Sequence, residues 1–114
     1  MKVGDKIVIL VGEPWDFDSS MGANRISGTI CDYTLTKKGE AFLFESDDMF
    51  DIQSVQVRYM VLKARYKKHD NIHYNISYIP DEWVSKFQKL DEIEGVLLLI
   101  IIGSIEEQAN LGSI

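Results

Sequence analysis

Cysteine, histidine, proline and long apolar runs are all scarce in this chain. A single thiol, Cys31, excludes an internal disulfide and any zinc site built on more than one thiolate. The longest uninterrupted apolar stretch, Val96 to Ile102, has seven residues, against the roughly 20 that a membrane-spanning helix needs. The opening Met-Lys-Val-Gly-Asp-Lys breaks any early apolar run with Asp5 and Lys6, so no secretory signal is expected. These absences predict a cytoplasmic protein with no membrane partner.

Basic charge is also in short supply. Twelve Lys and Arg against eighteen Asp and Glu give a net charge of −6 and a pI near 4.8. Long-range repulsion then opposes any surface that wraps nucleic acid or an anionic membrane as a whole. The signature loops of common enzymes are missing as well. The chain has no Gly-x-Ser-x-Gly elbow, no phosphate-cradling glycine loop and no Gly-x-Gly-x-x-Gly.

What is present is ordinary globular material: 114 residues, 46% apolar and 26% charged. This predicts a single domain spanning residues 1–114, with a core that hides roughly two-thirds of the surface its unfolded form exposes. Strands are expected at 6–11, with little exposure on either face, and at 25–33, where Ile26, Gly28 and Ile30 alternate with Ser27, Thr29, Cys31 and Tyr33. Residues 36–39 make a polar turn, with Gly39 supplying positive φ, and 40–45 return as the hairpin partner. Asp47, Asp48 and Asp51 mark a loop.

The stretch 54–66 is strand-like but changes phase, which predicts a bulge or bend near Tyr59-Met60-Val61. Residues 71–79 alternate cleanly, with Ile72, Tyr74, Ile76 and Tyr78 on one face. Pro80 then opens a helix with Trp83, Val84, Phe87 and Leu90 at helical spacing. Val96 to Ile102 reads as a buried strand, covered by that helix or by a second copy, which leaves monomer and homodimer both open. Ser104 and Glu107 match a capping box and predict a short closing helix over 105–109.

The sum is a mainly β, β-rich α+β fold. Its form is a small antiparallel barrel or curled sheet of five to six strands, with one late helix and a short C-terminal helix. The opening Val3-Gly4-Asp5-Lys6-Ile7-Val8-Ile9, followed by Gly28-Thr29-Ile30, resembles the first two strands of SH3-like barrels. There a Gly-Asp turn leads into the first strand, and a glycine marks the bent second one. The resemblance covers the first third of the chain and implies a barrel, not a ligand.

Few residues point to chemistry. Asp16, Asp18 and Ser20 begin like a calcium loop, but the diagnostic positions 6 and 12 hold Met21 and Ser27. His69 and His73 are four apart, a ligand spacing that works on a helix, whereas here they fall across a turn and into a strand. Cys31 has Asp32 beside it, and a carboxylate raises a thiol's pKa rather than activating it. No metal, cofactor or catalytic residue is assigned.

Charge distribution says more. Residues 1–53 carry a balance of −5, residues 54–79 a balance of +4, and residues 80–114 a balance of −5. Two interaction surfaces follow. The first joins the acidic-aromatic loop Trp15, Asp16, Phe17 and Asp18 to Asp47 and Asp48, and suits a basic protein partner. Trp15 and Phe17 have a second reading, as a plug for the open end of the barrel. A small acidic chain of this kind fits an inhibitor or immunity-type protein. The second surface is the basic hairpin of Arg58, Lys63, Arg65, Lys67 and Lys68 with Tyr66 and Tyr74, suited to single-stranded nucleic acid by phosphate neutralisation and base stacking. A small enzyme of unknown chemistry is the remaining alternative.

Overall fold

The computed structural model describes residues 1–11, 25–52, 55–68, 71–93, 95 and 98–108. Six antiparallel strands follow in chain order around a closed barrel: β1 (Lys6–Val11), β2 (Arg25–Thr36), β3 (Gly39–Ile52), β4 (Val55–Lys68), β5 (Asn71–Ile79) and β6 (Leu98–Gln108). Closure is the work of β6, which bonds to β5 on one side and β1 on the other. Among the described residues, each of the six strands is then paired on both sides. Between β5 and β6 the chain makes a 3₁₀ segment, Asp81–Lys89, and one α-helical turn, α1 (Leu90–Ile93).

Two cores share the same strands, because side chains on successive residues face opposite sides of a sheet. Inside the barrel lie Ile7, Ile9, Ile26, Ile30, Phe42, Phe44, Val57, Met60, Leu62, Tyr74 and Ile76. Outside it, Ala41, Leu43, Val61 and Ile79 form a second apolar face. The helical segment covers that face with Phe87, Leu90 and Ile93, and Val84 and Trp83 pack at its margin. Val84, Phe87, Leu90 and Ile93 recur every third residue. In a 3₁₀ turn of 3.0 residues such side chains align in one row.

The turns are built as the sequence implies. Gly4 and Gly39 both adopt positive φ, 97° and 117°. The Gly4 N–H donates to the Ile30 carbonyl at 2.7 Å, and the Ile30 N–H returns the bond to Asp5 at 2.9 Å. At the other hairpin the Thr36 hydroxyl donates to the Gly39 carbonyl at 2.7 Å. Gly28 is required for a different reason. A Cβ there would collide with the Glu45 carbonyl oxygen and the edge of the Phe44 ring.

Four sequence expectations are corrected. Residues 105–108 continue β6 rather than forming a closing helix; Ala109 lies outside the described residues. A five-residue helix would satisfy few of its own backbone groups, whereas the seam between β5 and β1 offers β6 a ladder on both sides. Asp47, Asp48 and Asp51 lie within β3 and not in a loop. The phase change in β4 is real, since Val57, Met60 and Leu62 all face the barrel interior, but the irregularity sits in the partner. Four residues of β3, 46–49, stand against Arg58 alone. Finally, Cys31 is an extra residue in the β2–β3 register. The faces of β2 therefore swap beyond it, and Tyr33 stands beside Phe42, with ring centroids 5.1 Å apart.

Candidate functional site

Antiparallel order fixes what meets at each end of the barrel. One end collects Val11 and Arg25, the two attachment points of residues 12–24, together with the far end of β3 and the start of the 3₁₀ segment after Pro80. The other end collects the N-terminus, the β2–β3 turn and the ends of β4 and β5 joined by residues 69–70.

At the first end the β3 bulge lifts Asp47, Asp48 and Met49 out of the ladder. All three are exposed, Met49 by 45%. Ser46, itself buried, donates its hydroxyl to the Asp48 carbonyl at 2.6 Å and pins the projection from below. Asp47 and Asp48 are thus presented on a fixed support. Trp15, Asp16, Phe17 and Asp18 lie outside the described residues, as does any decision between recognition loop and barrel plug.

Beside the bulge, the register brings carboxylates around one phenol. Tyr59 stands opposite Glu45 on β3 and Ile79 on β5, and its hydroxyl donates to Glu45 Oε2 at 3.2 Å. Partial burial, then Glu45, then more distantly Cys31 and Asp81 push its pKa upward. Cys31 sits in the same field. Its Sγ contacts the Leu43 carbonyl at 3.5 Å. Burial of the sulfur, Glu45 and Asp32 push the thiol from an ordinary 9.0 up to about 11. Tyr78 is raised by burial and then by Asp81 and Glu82. Glu45, Tyr59 and Asp81 were not legible as a group, because only the register makes them neighbours.

All of these shifts share a sign, and Tyr33 and Tyr74 are raised as well. A group whose folded pKa is raised lends stability below its unfolded pKa and withdraws it as pH climbs through the folded value. The thermal midpoint is therefore expected to fall steadily from pH 9 upward, first with Cys31 and then with the tyrosines. A scan from pH 7 to 11 checks this, and Cys31→Ser should flatten the earliest part of the decline.

The residues of the basic hairpin stand in different settings. Arg65 is exposed, 3.4 Å from the Asn75 side-chain oxygen, and Lys63 is half-exposed beside it on β4. Arg58 is half-buried at the acidic end, opposite the bulge. Its Nε is buried without a hydrogen-bond partner among the described residues. Tyr74 is 8% exposed, its ring in the barrel core, and offers no face for stacking. Tyr66, Lys67 and Lys68 belong to β4 by backbone, paired with His73, Ile72 and Asn71.

His69 lies outside the described residues. His73 is half-buried in β5. Among the described residues no group of three or more metal-ligating side chains gathers, and no helix is long and apolar enough to cross a membrane.

No protein-family model matches the chain, and no curated protein or solved structure matches it.

Proposed function

We propose that this chain is a non-catalytic protein-binding module, an acidic inhibitor or immunity-type protein that docks on a basic partner. The observation that carries the reading is the β3 bulge. It holds two exposed carboxylates and an exposed Met at the barrel end from which residues 12–24 emerge. Residues 12–24, which include Trp15, Asp16, Phe17 and Asp18, join Val11 and Arg25 at that same barrel end. Asp81 and Glu82, at the start of the 3₁₀ segment, add negative charge near Tyr78, and Asp81 near Tyr59 as well. Negative charge at the rim steers a basic partner, while the apolar and aromatic groups supply buried contact once it arrives. The opposite hand-over of charge, a basic stripe along the barrel, is weakened by the burial of Tyr74. We read the barrel itself as SH3-like on its Gly4-Asp5 turn and its Gly28 corner.

Charge reversal tests this directly. Asp47→Lys with Asp48→Lys is expected to weaken partner binding on the order of tenfold or more, mostly through slower association and a shallower salt dependence. Trp15→Ala with Asp16→Ala should weaken it comparably through loss of buried contact. Both variants should keep wild-type circular dichroism and melting. Unchanged affinity in both would remove the proposal.

A further inference from the structure

The barrel end opposite the acidic bulge holds a concavity of about 520 Å³, within the range of small-molecule sites. Its lining combines the aromatic side chains Phe42 and Tyr74, both nearly buried, with the more exposed Tyr33, Ile72 and Val3. Large apolar groups are otherwise costly to leave in water. Here Val3 is 52% exposed, Ile72 44% and Tyr33 37%, all around one opening.

The polar groups of this site are few. The Tyr33 hydroxyl donates to Glu40 Oε1 at 2.9 Å, which fixes the carboxylate on the wall and leaves its second oxygen outside that bond. Both Tyr33 and Tyr74 have raised pKa values, Tyr33 first through its bond to Glu40 and Tyr74 first through burial. Neither phenol therefore supplies negative charge near neutrality, and Glu40 is the acidic member of the lining. Lys2 and the amino terminus of Met1 are the cationic members. The Lys2 backbone N–H is tied to Asp5 Oδ2 at 2.8 Å, but its exposed ammonium rides on a flexible stem that turns readily to water. The fixed charge is the carboxylate; the movable ones are the lysine ammonium and the amino terminus of Met1, itself 39% exposed.

We propose that this concavity binds an organic ammonium ion carrying an apolar body, with the cationic head against Glu40 and the Tyr33 ring and the body over Phe42 and Ile72. Aromatic faces attract cations through their quadrupoles, and a weakly hydrated alkylated ammonium loses little on leaving water. This site is independent of the acidic end, so failure of either proposal leaves the other standing.

The test is a ¹H–¹⁵N NMR titration of the full chain with hexyltrimethylammonium to about 10 mM, with hexanoate as the counter-probe, a range that still detects millimolar binding. Saturable shifts are expected at Tyr33, Glu40 and Ile72. Glu40→Gln should weaken binding about fivefold to tenfold, and Tyr33→Leu should weaken it similarly. Both changes are at exposed positions and should leave the rest of the spectrum in place. No saturable shift, shifts confined to other residues, stronger binding of hexanoate, or indifference to Glu40→Gln would each overturn the proposal.

Discussion

Gly28→Ala is expected to destabilise the barrel by about 3 kcal/mol or more, an unusually large effect for one methyl group. Gly28 pairs with Ser46 and sits beneath the Phe44 ring, where an added Cβ would meet both that ring and the Glu45 carbonyl oxygen. A flexible side-chain tip could move aside. A backbone carbonyl bonded in a ladder and a ring with no exposed surface cannot do so without opening β2 from β3. The double variant supplies a sharper test. Phe44→Ala alone should cost about 3–5 kcal/mol by leaving a cavity in the interior. Combined with Gly28→Ala it should cost less than the sum, because the cavity accepts the new methyl. The Glu45 carbonyl remains in the way, so wild-type stability should not return. Urea denaturation of the four proteins measures both terms, and strict additivity would show that the ring is not the obstacle.

The second large effect belongs to the helical segment. Phe87 is fully buried between Leu43, Val61 and Ile79 on the outer face and its neighbours Leu90 and Ile93. Phe87→Ala should cost about 3–5 kcal/mol, and the loss should be local in character. Asp91 accepts from the Lys37 N–H at 3.1–3.2 Å, and Gln88 donates to Asp32 and to the Tyr33 carbonyl at 2.9 and 2.8 Å. These exposed bonds cannot hold the segment once its anchor is gone, since each contributes only about 1 kcal/mol. Hydrogen exchange is expected to accelerate over residues 81–93 well before it does in β1 to β5. Uniform acceleration across the chain would mean that the helical cover and the barrel form one cooperative unit.

Much of this architecture is legible in the residues. The strands at 6–11 and 71–79 stand where alternation and turn chemistry place them, and Gly39 carries the positive φ its turn demands. A helical segment after Pro80 is legible too, and the three-residue recurrence of Val84, Phe87, Leu90 and Ile93 agrees with its 3₁₀ geometry over most of its length. Other features depend on partners distant in sequence. The extra residue at Cys31 and the four-residue irregularity at 46–49 exist only relative to neighbouring strands, so no local pattern announces them. The Ser104-x-x-Glu107 capping pattern is a local preference overruled by the unfilled seam between β5 and β1.

The candidate site divides in the same way. Asp47 and Asp48 read as loop carboxylates from the local sequence, and they stand exposed within β3 instead. Their placement at the end of the barrel that receives residues 12–24 follows from strand order. Tyr74, grouped with the basic residues by proximity in sequence, turns inward because its alternation partners Ile76 and Tyr78 face the core. Glu40 and Tyr33 are seven apart in sequence, and only the β2–β3 pairing brings hydroxyl to carboxylate.

The central claim is that the acidic end engages a basic protein. Affinity capture from a native lysate, divided into nuclease-treated and untreated halves, tests it most directly, with the Asp47→Lys, Asp48→Lys variant run alongside. A basic protein retained by the wild-type chain in both halves and lost by the variant is the expected result. Capture that vanishes with nuclease, or that is indifferent to the charge reversal, would contradict it and shift attention to Lys63 and Arg65 on the opposite half of β4.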